Sequence, residues 1–362
     1  MSSTTIEEQQ TSPKKYRVLM VTGIYPTPER PHKGTFVKPI VDSLLADGHT
    51  VEIVHPNPGY PMPLRYLSAT LQVFLKTLTG RFDIVHGHYG LWCLVARMQW
   101  TTPVVAAYLG DDLLGTVTED ESISKKSLLV VRICQWLCRH VEVVTVKSEQ
   151  MKKASLIDDA VVLADGINFD LFQPIPRAEA RALLGWDSSK YYVVFANNPT
   201  IPVKNFKLAK AAIERLRERG MEAELMVATG LPQSKVVQYI NASNALILPS
   251  IAEGAPNVVK EAMACNVPVV ATNVGDVEQV ISKTEGCTVC VRDADAMAEG
   301  LEKALVHVER TTGRADILQS DHTVTLKHVL AMYAKAIQKK VRKSKKQNIK
   351  PAQQEVSHAS VS

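Results

Sequence analysis

The stretch that decides the fold reads NALILPSIAEGAPNVVKEAMACNVPVVATNVGDVEQVI and spans residues 244–281. Its apolar run at 245–248 predicts a buried strand. A glycine-bearing loop with Glu253 follows that strand. Pro256 then stands where a helix can begin, since its fixed φ suits the first helical position, which needs no N–H. The stretch therefore predicts a strand, a loop and a helix that begins close to a carboxylate.

A second carboxylate lies further along the same predicted helix. Glu261 is five residues beyond Pro256, which corresponds to about 7.5 Å along a helix axis. Free backbone N–H groups at a helix N-terminus form an anion site, so Glu253 and Glu261 would lie on either side of a phosphate. A ligand with hydroxyl groups at both ends and a diphosphate between them has that layout, and a nucleotide-sugar is such a ligand.

The same residues resemble a known family signature. Two glutamates with seven residues between them, followed by AMAC, Asn266 and PVVAT at 268–272, are similar to the signature of GT-B glycosyltransferases of the large retaining family 4. The family usually has glycine where this chain has Asn266. The resemblance covers roughly residues 16–330. It implies a GT-B fold, in which two Rossmann-like, doubly wound parallel-sheet α/β domains face each other across a cleft.

Short apolar runs alternate with amphipathic segments along the chain, a pattern that predicts βαβ units and parallel sheets. Strands are predicted at 17–22, 51–54, 84–86, 104–109, 141–146, 192–196, 223–228, 245–248, 267–271 and 288–291. A connector containing Asp165 and Gly166 resembles the family's link between its domains. The expected organisation is a disordered tail at 1–15, an acceptor-side domain at 16–165, a nucleotide-sugar domain at 166–325, a helix at 326–344 that packs back on the first domain, and a disordered tail at 345–362.

The resemblance implies donor-binding roles in the second domain. Lys204 would neutralise the donor diphosphate, because charge grows on the leaving group as its bond to the sugar breaks. The arginine that family members carry before this lysine is absent, and Asn198 lies in the equivalent stretch. Glu261 would accept hydrogen bonds from ribose hydroxyls, and Glu253 would hold the sugar near the reacting carbon. The other donor-side candidates are Gly254, Ala255, Pro256, Asn257, Val258 and Gly275.

The resemblance also implies functional residues in the first domain. Gly34 and Thr35 match a glycine loop near the diphosphate, where glycine lets the backbone approach a phosphate. His88 is expected to face the cleft and to orient the sugar or the acceptor, with a charge that can change near pH 7. His86, at the strand end, is expected to be structural. Asp111 and Asp112 are expected to bind an acceptor hydroxyl.

No metal or other cofactor is expected. A metal-binding Asp-x-Asp motif belongs to the other major glycosyltransferase fold, and Cys287 and Cys290 have a CxxC spacing without a second ligand pair nearby. A nicotinamide dehydrogenase is disfavoured, because no predicted strand is followed by G-x-G-x-x-G.

The net charge of +5 comes from one segment, because residues 335–350 hold eight basic residues and no acids, which leaves −3 on the rest. The near-neutral remainder gives no reason to expect nucleic-acid binding. The basic segment is either a solvated helix end or a surface that attracts anionic lipid head groups. The N-terminus has no apolar core and the sequence has no apolar span of about 18 residues, so we expect a cytoplasmic protein. If the basic segment attracts anionic lipid, we expect peripheral contact at the inner face of the cell membrane.

Together these features predict a retaining, metal-independent glycosyltransferase with a front-face mechanism. It would move a sugar from a UDP-, GDP- or ADP-sugar to a hydroxyl of a glycan, a lipid-linked acceptor or a small molecule. Two alternatives stay open. A non-catalytic relative would bind a nucleotide-sugar without turnover, an option raised by the missing arginine and by Asn266, Asp276 and Gln279. A nucleotide-sugar epimerase shares the fold but needs acid and base groups around the same pocket.

Overall fold

A six-stranded, wholly parallel sheet forms the centre of the first domain. The computed structural model of the chain describes residues 14–27, 34, 36–57, 59–306 and 310–358. The strands of this sheet are Arg17–Thr22 (β1), Thr50–Val54 (β2), Ile84–His88 (β3), Val104–Ala107 (β4), Val143–Val146 (β5) and Val161–Val162 (β6). They lie in the order β2-β1-β3-β4-β5-β6. The central strands are buried and mostly apolar because helices cover both faces of the sheet.

Six helices follow the strands of this domain. Their bounds are Lys38–Ala46 (α1), Met62–Thr79 (α2), Leu91–Arg97 (α3), Asp111–Leu114 (α4), Lys125–Cys138 (α5) and Glu149–Ser155 (α6). Residues of α2, α3, α5 and α6 share one apolar core with the sheet, whereas α1 belongs to a second core that contains other side chains of the same strands. The sheet is therefore covered on both faces, as a doubly wound fold requires.

A second parallel sheet, of five strands, forms the centre of the other domain. Its strands are Tyr191–Phe195 (β7), Ala223–Val227 (β8), Ala245–Leu248 (β9), Val269–Thr272 (β10) and Thr288–Cys290 (β11), in the order β11-β10-β9-β7-β8. Its helices are Arg177–Leu184 (α7), Phe206–Glu218 (α8), Gln233–Ala242 (α9), Asn257–Ala264 (α10), Val277–Ile281 (α11), Ala294–Val306 (α12) and Gly313–Asp316 (α13). The two parallel sheets confirm the predicted fold class.

The last helix, His322–His358 (α14), returns to the first domain. Val329, Met332 and Tyr333 on this helix are buried in the core that α1 shares with the first sheet. The chain crosses between the domains at two adjacent points, because Ile167 donates its N–H to the Ser320 carbonyl (2.8 Å) and accepts from the N–H of His322 (3.1 Å). The first and last segments of the second domain therefore run side by side.

Three features of the fold differ from the sequence prediction. The short edge strand β6 was not predicted, because two valines give no periodicity. The predicted helix ends at position 344 and is followed by a predicted disordered tail, whereas α14 continues to His358. The lysines, glutamines and alanines of this segment favour a helix. Three of the basic residues on the middle turns of α14 are paired: Lys335 and Lys339 contact Asp159, and Lys343 contacts Glu142. Residues 1–13 and 359–362 of the predicted tails lie outside the described residues.

We expect Met332→Ala to destabilise the protein, because this side chain is buried where α14 packs on the first sheet. Truncating a buried methionine costs about 2–5 kcal/mol, and 1 kcal/mol shifts Tm by about 2–4 °C for domains of 150–250 residues. The melting temperature measured by circular dichroism should fall by at least about 4 °C. Val341→Ala, at a half-exposed position of the same helix, is the control. Equal melting temperatures for Met332→Ala and the wild type would contradict the packing.

Candidate active site in the cleft between the sheets

A cleft of about 1190 Å³ lies between the two domains, at the carboxyl ends of both sheets. In each sheet the strand order reverses beside this cleft, since β1 lies between β2 and β3, and β7 lies between β8 and β9. Open α/β sheets bind ligands at such points. Eight of the residues predicted from the sequence line the cleft, namely Asp111, Lys204, Glu253, Ala255, Pro256, Asn257, Val258 and Glu261.

The loop between β9 and α10 is held by close backbone contacts that only glycine permits. A Cβ at Gly254 would lie 2.3 Å from the carbonyl oxygen of Leu109 in the first domain, and a Cβ at Gly275 would lie 2.6 Å from the carbonyl oxygen of Gly254. Gly275 also has a φ of +61°, which a side chain disfavours. Three backbone segments thus stack beside the cleft. These two glycines set the shape of the loop and are not among the cleft-lining residues.

The N-terminus of α10 opens into the cleft. Pro256 precedes the helix, and the first backbone hydrogen bond there runs from the N–H of Val259 to the Pro256 carbonyl (3.1 Å). The N–H groups of Asn257 and Val258 therefore precede the intrahelical bonding and have no helix partner. Both residues line the cleft. The arrangement provides two backbone donors and the positive end of a helix dipole for an anion.

Lys204 and Glu253 form an ion pair within the cleft. Lys204 ends a short 3₁₀ turn, Pro202–Lys204, and its Nζ lies 2.7 Å from Oε1 of Glu253. The hydroxyl of Ser250 donates to the same carboxylate oxygen (2.7 Å). The two charged side chains are only 20 % and 11 % exposed. A ligand phosphate that enters the cleft would compete with Glu253 for the ammonium group of Lys204.

Glu261 lines the cleft without a hydrogen bond or ion pair from any residue that the structure describes. Burial raises the pKa of this carboxyl to about 7, because desolvation disfavours its charged form. Hydroxyl groups of a ligand would replace the missing solvent and would stabilise the carboxylate. The geometry therefore fits the predicted role as an acceptor of hydrogen bonds.

The two aspartates of the first domain have different environments. Asp112 is buried, and its carboxylate accepts from the N–H groups of Gly90 (3.0 Å), Leu109 (3.0 Å) and Gly110 (2.9 Å). Burial raises its pKa to about 6. Asp112 thus ties together the loops that follow β3 and β4 and does not line the cleft. Asp111 lines the cleft and accepts from Tyr89 Oη (2.7 Å) and Thr116 Oγ1 (3.0 Å), so it remains the acceptor-side candidate.

His88 lies beneath the cleft rather than on its surface. It ends β3, is 1 % exposed, and packs on the ring of His86 with 4.1 Å between centroids. Neither ring nitrogen of His88 has a hydrogen-bond partner in the described part of the chain. Burial, together with the charge of Lys147, lowers the pKa of His88 to about 3. The sequence suggested a charge change near pH 7, but this histidine is neutral there.

His86 contacts the final helix. Its Nδ1 lies 2.9 Å from the hydroxyl of Tyr333 on α14. This contact agrees with the structural role that the sequence suggested for His86.

A largely buried polar bridge, which sequence reasoning missed, joins the two domains at the wall of the cleft, which Asp165 and Asn257 both line. Lys147, just after β5, places its Nζ 2.5 Å from Oδ1 of Asp165. The second oxygen of Asp165 accepts from Nδ2 of Asn257, the first residue of α10 (3.2 Å). The only sequence signal was a lysine directly after an apolar strand.

Gly34 and Asn198 lie outside the cleft lining. Gly34 has a φ of +72°, and a Cβ there would lie 2.6 Å from the carbonyl oxygen of Ile24. Thr35 lies outside the described residues. Asn198 is exposed and closes a local turn, since its Oδ1 accepts from the N–H (3.0 Å) and Oγ1 (2.8 Å) of Thr200. Asn197 lines the cleft instead, and Lys38 of α1 adds a cation from the first domain.

Asp276 stands where the family usually has glycine, and its charge is balanced inside the protein. Its Oδ2 lies 2.8 Å from Nζ of Lys260 on α10, and the lysine side chain is 2 % exposed. This buried pair adds no net charge next to the donor side of the cleft.

The residues that the structure describes contain no group of three or more histidine, cysteine, aspartate or glutamate side chains that could hold a metal ion. Within the same residues no helix has the length and apolar character of a membrane span.

Sequence comparison places both halves of the chain in glycosyltransferase families. Residues 13–156 match the glycosyl transferase 4-like domain, and residues 204–307 match glycosyl transferases group 1. A Bacillus subtilis protein named as the teichuronic acid biosynthesis glycosyltransferase TuaC is 24 % identical and covers 79 % of this chain and 88 % of its own. A D-inositol 3-phosphate glycosyltransferase of Mycobacterium sp. (strain KMS) is 27 % identical over 77 % of this chain and 73 % of its own.

Solved structures share the fold. Sucrose-phosphate synthase from Thermosynechococcus elongatus superposes with a TM-score of 0.63 at 18 % identity, covering 93 % of this chain and all of that one. Anabaena Alr3699/HepE, determined in complex with UDP and glucose, has a TM-score of 0.65 at 14 % identity and covers 89 % of this chain and all of its own. With two parallel-sheet domains, a cleft that holds both signature glutamates, and family matches in both halves, the chain belongs to the group 1 (family 4) glycosyltransferases of the GT-B fold and is an enzyme of that class.

Proposed function

We propose that the enzyme transfers a sugar from a nucleotide-sugar to an acceptor hydroxyl, with retention of anomeric configuration and without a required metal. One observation carries the proposal: the Lys204–Glu253 pair, the free N–H groups of α10 and the unpartnered Glu261 line one cleft. These groups match the parts of such a donor in order, namely sugar hydroxyls, diphosphate and ribose. The UDP and glucose bound in the Anabaena structure support the same donor class.

In the proposed donor complex each group has one task. The diphosphate lies at the N-terminus of α10 and displaces Glu253 as the partner of Lys204. Glu253 is then free to accept hydrogen bonds from the sugar, and Glu261 accepts from the ribose hydroxyls. Lys38, which pairs with Asp42, provides a second cation on the opposite wall, while the second domain lacks the family's arginine. Fixed charges that face the leaving group stabilise the transition state electrostatically.

The proposed chemical step involves one face of the sugar. The bond between the anomeric carbon and the donor phosphate oxygen breaks, and its electron pair leaves with the phosphate. The acceptor oxygen forms its bond to the anomeric carbon on the same face, and the acceptor proton passes to the departing phosphate oxygen. The step needs no protein nucleophile. Asp111, on the first-domain wall, is placed to orient the acceptor hydroxyl.

The proposed location is the cytoplasm, with peripheral contact at the inner face of the cell membrane. Within the basic segment, Lys335, Lys339 and Lys343 are engaged with acidic side chains. Arg342 and Lys345 are exposed and have no ion pair with a described residue, so the segment contributes less free charge than its composition suggests.

The first test is a thermal-shift screen against UDP-, GDP- and ADP-sugars in magnesium-free buffer with a chelator. A ligand at about 100 times its Kd should stabilise the native state by about 2.7 kcal/mol, which gives a clear rise in melting temperature. The bound donor is then tested for nucleotide release with candidate acceptors. Binding without release would favour the non-catalytic relative, and conversion of the donor into an epimeric nucleotide-sugar would identify an epimerase. If no nucleotide or nucleotide-sugar raises the melting temperature, the proposed donor site is wrong.

We expect Lys204→Ala to lower the rate of donor-dependent nucleotide release by about 100-fold or more, because the leaving phosphate loses its fixed cation. Lys207→Ala is the matched control, since Lys207 lies three positions along the chain on the exposed side of α8. Both variants should keep the wild-type circular dichroism spectrum. Wild-type turnover by Lys204→Ala would remove this lysine from the site.

We expect Glu261→Gln to stabilise the ligand-free protein at pH 8 but not at pH 5. The folded pKa of about 7 lies above the usual value of 4.5, so the native state binds more protons than the unfolded state between these values. Stability from this group is therefore present at low pH and is lost as the pH rises through 7. The gain at pH 8 should be about 1–3 kcal/mol, measured by thermal melts.

Glu214→Gln, at an exposed position of α8, is the control for this pH comparison. Its melting temperature relative to the wild type should be the same at both pH values. If the difference in melting temperature between Glu261→Gln and the wild type does not change with pH, the Glu261 carboxyl does not have the raised pKa that desolvation gives.

A further inference from the structure

Helix α2 carries a solvent-facing apolar stripe. Besides Met62 at the first position of this helix, six of its large apolar side chains are between 36 % and 65 % exposed, namely Leu64, Leu67, Leu71, Phe74, Leu75 and Leu78. Their three- and four-residue spacing places them on one side of the helix, within an arc of about 100°. The buried residues Ala69, Val73 and Thr77 lie on the opposite side, against the first domain. We call these six side chains the α2 stripe.

Such a stripe is unfavourable in water. Contiguous exposed apolar surface usually marks an interaction site, and each buried Å² of apolar surface contributes about 25 cal/mol. Nothing in the described part of the chain covers the α2 stripe. Tyr66, which stacks on Trp92, anchors α2 together with Ala69 and Val73, so the outward side chains are not needed for packing against the domain.

All charged residues in the chain segment that contains α2 have one sign. The chain has no aspartate or glutamate between Glu52 and Asp83, and over this span it carries Arg65, Lys76 and Arg81. Lys76 contacts Glu52. Arg81 follows the end of α2, is exposed and has no ion pair with a described residue. An apolar stripe with positive charge beside it complements a surface that has anionic groups on the outside and an apolar layer beneath them.

The shape of the α2 stripe favours a bilayer over a protein partner. It lies along a single convex helix about 27 Å long at 1.5 Å per residue, and it consists of five leucines and one phenylalanine. Protein interfaces are richer in tyrosine, tryptophan and arginine at their centres. Helices with an apolar side and basic residues at the rim lie in the plane of the head-group region.

We propose that helix α2 is a membrane-docking surface, which inserts the α2 stripe into a bilayer that contains anionic lipid. The proposal deepens the peripheral location in the proposed function, but it rests on other residues than the C-terminal basic segment. It does not depend on the identity of the donor.

The test is co-sedimentation of the full chain with vesicles. One set contains phosphatidylcholine alone, and the other an equimolar mixture of phosphatidylcholine and phosphatidylglycerol. The wild type should bind the mixed vesicles more tightly. The triple variant Leu67→Gln, Leu71→Gln, Leu75→Gln should lower the partition coefficient at least about 100-fold. Arg81→Gln should lower it about fivefold on mixed vesicles and leave it unchanged on phosphatidylcholine.

The matched control is the triple variant Leu156→Gln, Leu183→Gln, Leu318→Gln, three leucines of similar exposure outside α2. It should bind vesicles like the wild type. The nucleotide-dependent rise in melting temperature should be the same in the wild type and both triple variants. A failure of membrane docking is thereby separated from a failure of the donor site.

A second measurement does not depend on whether the triple variant folds, because it uses a single substitution. Leu71→Cys labelled with an environment-sensitive fluorophore should show a blue-shifted emission on mixed vesicles, and the six native cysteines are buried or half-buried. Three results would overturn the proposal: no vesicle binding by the wild type, wild-type binding by the α2 triple variant, or a wild-type dimer in light scattering that the α2 triple variant converts to a monomer. The last result would identify a second copy of the chain as the partner.

Discussion

The carboxylate of Asp165 connects the parts of the molecule on which the cleft depends. It lies on the connector between the domains, and its two oxygens contact Lys147 of the first domain and Asn257 of the second. The ion pair is largely buried, and removing one member of such a pair leaves an uncompensated charge that costs about 3–5 kcal/mol. The start of α10, with its free N–H groups, is therefore held at a defined distance from the first sheet.

The chemistry of the cleft follows from how each charge is satisfied before a ligand arrives. Glu253 has a cation and a hydroxyl as partners, whereas Glu261 has neither and is partly protonated near neutral pH. A donor with both phosphate and hydroxyl groups satisfies both residues at once, because it supplies an anion to Lys204 and hydrogen-bond donors to the two carboxylates. A ligand with a phosphate but no hydroxyl groups would take Lys204 from Glu253 and leave that carboxylate without a cation.

The sequence predicted ten of the eleven strands that the structure describes, the two-domain order and the second-domain wall of the cleft, because local apolar periodicity and the 244–281 stretch determine them. It could not predict environments that depend on distant contacts. His88 and Asp112 follow predicted strands, yet one is buried on His86 and the other binds three backbone N–H groups. The bridge through Asp165 joins residues 18 and 92 positions away. Neither kind of contact leaves a periodic signal in the chain.

The return of the last helix to the first domain has a consequence for how the protein is made. Val329, Met332 and Tyr333 complete a core whose other members begin at Val18. Domains generally fold in order as the chain leaves the ribosome, but here one face of the first sheet is covered only in part, by α1, until α14 has been synthesised. The second domain can finish its own core earlier. The amino-terminal domain is therefore translated first, but its core is completed last. Until then, its exposed apolar face is a binding surface for chaperones.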